Sequence, residues 1–127
     1  MPSWDDVNRI ALALPETAER PAYGQRAWRV RDKLFVWERP LRAADLEALG
    51  EGAPEGPILG VRVESEFAKQ ALLADEPEVY FTTPHFDGYP AVLVQLRRIS
   101  PADLEELIAE AWLARAPKRL AHEYLGE

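Results

Sequence analysis

The chain has 127 residues, 47% of them hydrophobic and 29% charged, with a formal net charge of −7 and no cysteine. That is the length of one domain with one hydrophobic core and the composition of a globular rather than a disordered chain. It excludes a disulfide framework, a thiolate nucleophile and a cysteine-ligated metal, and the acidity opposes long-range attraction to nucleic acid or anionic membranes.

In chain order, Ser3 is placed to cap a first helix. Its apolar positions Val7, Ile10, Ala11 and Leu14 recur at helical spacing, Asp5 and Asp6 suit its first turn, and Pro15 stops it. A polar loop is expected over Glu16 to Gln25. Ala27 to Arg31 alternates, and Leu34 to Trp37 is rich in aromatic and β-branched residues, so the two read as a hairpin turning at Asp32-Lys33. Pro40 ends it. Ala43 to Leu49 has the character of a short helix, and 50–57 is a loop by its glycines and prolines.

Ile58 to Val63 reads as a strand and Glu64 to Ala74 as a helix with Phe67, Ala71 and Leu72 or Leu73 turned inward. Val79 to Phe81 is a short strand, and Ala91 to Leu96 is the strongest strand pattern in the chain. Ser100-Pro101-Ala102-Asp103 opens the last long helix, with Leu104, Leu107, Ile108, Ala111 and Trp112 as its buried stripe. A break at Pro117 precedes a terminal helix over Lys118 to Tyr124. Hairpin-linked strands among helices predict an α+β domain of two layers, an antiparallel sheet with helices on one face.

Charge is unevenly placed. Between 26 and 42, six basic residues face only Asp32 and Glu38, a local +4 in an acidic chain. Arg29 and Arg31 would share one strand face opposite Trp28 and Val30, and with Lys33 they form a ribbon able to contact phosphates. The plain alternative is a solvated edge whose arginines pair with the protein's own acids. Lys118 and Arg119 add a second basic face, with Arg115 and His122 at helical spacing if the helix continues; cations at a helix C-terminus have the same pattern.

The densest polar chemistry lies in Thr82 to Pro90. Thr83, His85, Asp87 and Tyr89 could form a ligand pocket, yet two prolines and a glycine in nine residues are what a rigid strand connection requires, and a structural role is expected to come first. A catalytic role lacks a nucleophile or metal at a recognisable spacing. His85 and His122 sit in separate elements, and no phosphate-binding glycine motif or other cofactor motif occurs. The four tryptophans, Trp4, Trp28, Trp37 and Trp112, are expected in the core, with Trp37 the one most open to exposure.

Several segments together resemble the MmcQ/YjbR family of small bacterial proteins. They are Trp4-Asp5-Asp6-Val7 with Ala13-Leu14-Pro15-Glu16, the Arg29 to Phe35 hairpin, the Tyr80 to Val94 block, and Glu110-Ala111-Trp112 through Ala116-Pro117-Lys118-Arg119-Leu120. The resemblance implies an antiparallel two-layer fold similar to type III secretion chaperones and a DNA-binding label, with no catalytic residues to carry over. The expectation is a non-enzymatic binding module without cofactor. It would contact DNA weakly through Arg29, Arg31, Lys33, Lys118 and Arg119, or bind a protein or small ligand at the Thr82–Pro90 block. No run is apolar enough to span a bilayer and the first residues are acidic, so a cytoplasmic monomer or weak dimer without membrane contact is expected.

Overall fold

The computed structural model describes residues 1–127. Its helices are α1 (Trp4–Leu12), α2 (Ala43–Leu49), α3 (Glu66–Asp75), α4 (Pro101–Arg115) and α5 (Lys118–Leu125). The strands are β1 (Thr17–Glu19), β2 (Ala27–Val30), β3 (Lys33–Glu38), β4 (Ile58–Arg62), β5 (Tyr80–Phe81) and β6 (Ala91–Gln95). They form one sheet in the order β1-β2-β3-β4-β6-β5, antiparallel throughout. No helix is long and apolar enough to cross a membrane.

The helix starts follow from hydroxyl caps. Ser3 accepts from the Asp6 amide while Asp6 accepts from the Ser3 amide at 2.8 Å, a reciprocal box that satisfies two otherwise unpaired donors. The hydroxyls of Ser65 and Ser100 accept from the Ala68 and Asp103 amides at the starts of α3 and α4, each at 3.1 Å, without the return bond. α3 therefore begins two residues later than the sequence pattern predicted. Phe67, expected inward, is 84% exposed; Ala68, Leu72 and Leu73 pack on the core instead.

One face of the sheet carries the main core. Trp28, Val30, Val36, Val61, Val92 and Val94 meet α1 and α4 there, with Trp112 fully buried as its periodicity predicted. Both buried indoles have their N–H satisfied: Trp28 donates to Asn8 Oδ1 at 2.9 Å and Trp112 to the Pro15 carbonyl at 3.0 Å. The second bond ties α4 to the end of α1.

Two corrections fall in the first 32 residues. The expected loop from Glu16 to Gln25 contains β1, paired with β2 from Thr17 opposite Val30 to Glu19 opposite Trp28. It returns through Tyr23 and Gly24, both at positive φ, which is the backbone sign of a tight type I′ hairpin. The β2–β3 turn lies at Arg31-Asp32, also both at positive φ, one residue before the expected Asp32-Lys33. Arg31 is thus a turn residue and does not share a strand face with Arg29. A bulge beside Trp28 and Arg29 then places Phe35 and Val36 both in the core, breaking the alternation of β3.

The other face of the sheet has a smaller apolar layer of Ile58, Phe86, Ala91 and Leu93, with Trp37, Leu41 and Phe81 packed against it. Trp37 lies across Gly60, where an added Cβ would fall 2.7 Å from Trp37 Cζ2 and Nε1. Only glycine leaves that space. The Pro84–Phe86 helical turn and the chain leading into α2 complete the cover.

Candidate functional site

The turn from Thr82 to Pro90 is anchored from α3. Lys69, 1% exposed, donates through Nζ to the carbonyls of Phe86 at 2.6 Å and Tyr89 at 3.0 Å. A buried ammonium needs such partners, and here it converts a loop into a fixed platform. The sequence pointed to His85 and Asp87 as possible holders of this turn. Both are exposed; His85 meets the Phe86 ring edge-on, with centroids 4.8 Å apart. The anchoring residue is Lys69 of α3, for which the sequence pattern carries no signal.

Beside the platform is a cavity of about 740 Å³. Leu34, Trp37, Phe86 and Tyr89 supply its apolar wall, and the exposed Tyr23 stands at its edge on the β1–β2 hairpin. His85 and Asp87 line it as well, with Glu38, Arg39 and Arg42. Of the four pocket residues expected from sequence, the structure brings together His85, Asp87 and Tyr89. Thr83 is buried behind the wall, its Oγ1 without a hydrogen-bond partner.

Two arginines brace this region. Arg39 is buried, donates to Asp45 Oδ2 at 3.0 Å and to the Pro40 carbonyl at 2.6 Å, and lies 5.3 Å over the Phe86 ring. Burial works to raise the Asp45 pKa, but the Arg42 amide and the Arg39 guanidinium outweigh it and hold the carboxyl below its ordinary value. Arg62 donates to the Tyr89 hydroxyl at 2.9 Å and stacks 4.8 Å over its ring. Trp37 was the tryptophan singled out for exposure; Leu34, Arg39 and Arg42 were not found as wall residues, because they converge only once the hairpin folds over the turn.

Most of the basic candidates on the hairpin meet the protein's own acids. Arg31 makes a two-pronged pair with Glu16 at 2.6 and 2.7 Å, which pulls the Glu16 carboxyl below its ordinary value. Arg26 does the same with Glu19 at 2.6 and 3.0 Å, and Arg20 pairs with Asp32. Much of the local positive charge is therefore answered within the β1–β2–β3 sheet. Lys33 stands opposite Val30 and so on the helix-covered side, whereas Arg29, beside Val30 in the strand, points to the cavity side. Arg115 turns inward to the Leu34 carbonyl, and Pro117 breaks the expected continuous basic helix face. Lys118 and Arg119 begin α5, both exposed. Glu123 of α5, 3.9 Å from Arg119, also acts on Arg31, so the β2–β3 turn lies near that helix and its acid answers both arginines.

Comparison with known proteins fits this architecture. The chain is 59% identical over 129 residues to uncharacterized protein Rv2570 of Mycobacterium tuberculosis (strain H37Rv), covering 99% of this chain and 98% of that protein. Uncharacterized protein Mb2600 of Mycobacterium bovis matches to the same extent. The crystal structure of Deinococcus radiodurans protein DR2400, a DUF419 domain protein, superposes with a TM-score of 0.69 at 17% identity, covering 99% of this chain and 89% of that one, and so shares the fold. The YjbR family model matches residues 12–114, and the chain belongs to the YjbR family.

Proposed function

We propose that this protein is a non-enzymatic binding module whose site is the cavity between the β2–β3 hairpin and the Thr82–Pro90 turn, and that its ligand is a small, partly aromatic molecule. One observation carries this reading: a cavity of about 740 Å³ with an aromatic wall facing the polar side chains of Gln25, Glu38, Arg39, Arg42, His85 and Asp87, on a turn fixed by a buried lysine. Ligand sites are commonly concave, mostly apolar and of roughly 300–1,000 Å³. Trp37 and Tyr89 offer faces for stacking, and Arg42 and His85 offer polar contacts at the rim. The support for DNA binding through the hairpin is thinner, since Arg31 is held by Glu16 and Arg29 and Lys33 point to opposite faces.

Amide NMR shifts on titration with indole-3-acetate and with a short DNA duplex, both at low salt, test the proposal. Saturable shifts at Trp37, Phe86 and Tyr89 with the aromatic acid, lost in Trp37→Ala, are expected. Saturable shifts with DNA alone, centred on Arg29 to Lys33 and removed by Arg29→Glu with Arg31→Glu, would replace the ligand reading with the nucleic-acid one.

A further inference from the structure

A second and larger cavity, about 950 Å³, lies on the opposite side of the sheet between α3, α4 and α5. α4 packs over β3 and β4, and α3 over β5 and β6, so the two helices cover different strands. The gap is floored by Ala68, Leu72, Leu107 and Leu113. Seven carboxylate side chains line it, against Arg62 and Lys118 as the only lysine or arginine. It follows α4 from Asp103 to Ala114, which at the helical rise is about 16 Å, or three turns of a partner helix.

Tyr80 sets a phenol against that apolar floor. The residue is 6% exposed and lines the groove. Burial, then Glu76, Asp103, Asp75 and Glu106, pushes its pKa up to about 12. All four of these carboxylates line the same groove. Burial, with Asp103, Asp75 and Glu78, also raises the Glu76 carboxyl above its ordinary value. A floor of apolar side chains, a phenol and an excess of negative charge thus coincide.

We propose that the α3–α4–α5 groove docks an amphipathic helix of a partner protein, apolar on the face it buries and flanked by lysine or arginine. Helix-in-groove recognition uses apolar anchors at i, i+3, i+4 and i+7, and the alanines 68, 71, 114 and 121 that line the groove permit close approach. The rim charge selects the sign of the flanks and steers encounter. A small organic cation would fill only a fraction of a groove three turns long, so the geometry favours the helix. This surface is separate from the cavity at Trp37.

The test uses the full chain and a labelled Leu/Lys amphipathic peptide of about 14 residues, long enough to span the groove, with a Leu/Glu peptide of the same apolar pattern as control. Fluorescence anisotropy should show binding of the Leu/Lys peptide alone. Glu106→Lys with Glu110→Lys, both exposed on the rim, should weaken it about tenfold or more, the scale on which like charge opposes association. Glu47→Lys with Glu51→Lys, equally exposed but outside the groove, should change it less than about twofold, as expected for remote charge screened by salt. Tyr80→Phe should weaken binding with the fold retained by circular dichroism. Equal weakening by both charge reversals would reduce the effect to net charge and overturn the proposal. So would equal binding of the Leu/Glu peptide, or binding of phenethylamine at Tyr80 without binding of the peptide.

Discussion

Replacing Gly60 by alanine tests whether Trp37 is held flat on the second face of the sheet. The backbone at Gly60 needs no positive φ, so any penalty must come from the side chain it meets. A methyl group there would sit 2.7 Å from Trp37 Cζ2 and Nε1, closer than side-chain atoms approach. Either the indole swings out, losing its packing on Ile58, Phe86 and Leu93, or the strands shift. Overpacking of this kind costs about 1–3 kcal/mol, which lowers a urea midpoint by roughly 1 M for a domain of this size. In a Trp37→Ala background the clash is gone, and Gly→Ala within a strand should instead stabilise by about 0.5–1 kcal/mol by restricting the unfolded chain. Urea unfolding of the four proteins, followed by far-ultraviolet circular dichroism, closes the cycle. The sign of the Gly60→Ala effect should reverse, with a coupling of about 2–3 kcal/mol. Equal destabilisation in both backgrounds would show that Trp37 does not lie on Gly60, and the aromatic wall of the cavity would go with it.

Asp45→Ala leaves the buried Arg39 guanidinium with only the Pro40 carbonyl and should destabilise by about 3–5 kcal/mol in urea unfolding. Because the Asp45 carboxyl is held below its ordinary value, its contribution is present near neutrality and lost as pH falls through the folded-state pKa, so Asp45→Asn should flatten the acid limb of the stability curve. Lys69→Met removes the donor to the Phe86 and Tyr89 carbonyls and should speed amide exchange across 85–89, at a stability cost of about 1–3 kcal/mol. By contrast, His85→Ala and Asp87→Ala, both on the surface, should each stay within about 0.5 kcal/mol of the parent. With Tyr80 raised to about 12, the unfolded chain ionises first above its ordinary value of 10.0; stability should therefore fall as pH rises between these values, by at most about 1.4 kcal/mol per unit. Tyr80→Phe should remove that part of the alkaline slope.

Local chemistry determined much of the fold from sequence alone. Ser3 and Ser100 mark helix starts because a hydroxyl there pairs an orphan amide, and Pro117 breaks the chain because it cannot continue a helix. The stripe from Leu104 to Trp112 names the buried face of α4, alternation names β2, and continuous apolar runs name β4 and β6. The family likeness was legible too, in the Tyr80 to Val94 block and the hairpin. Other features depended on which segments meet in space. Phe67 reads as a core residue, but Ser65 sets the phase of α3 and turns it outward. Lys69 carries no local signal, and its ammonium is consumed by two carbonyls about twenty residues away. Arg29, Arg31 and Lys33 read as one basic ribbon; a turn one residue earlier and a bulge send them to different surroundings, and Glu16 holds one of them. Local propensity fixes elements through neighbours three or four residues apart. The cavity at Trp37 and the groove at Tyr80 are made by side chains from three or more elements each, and only the packed chain brings those together.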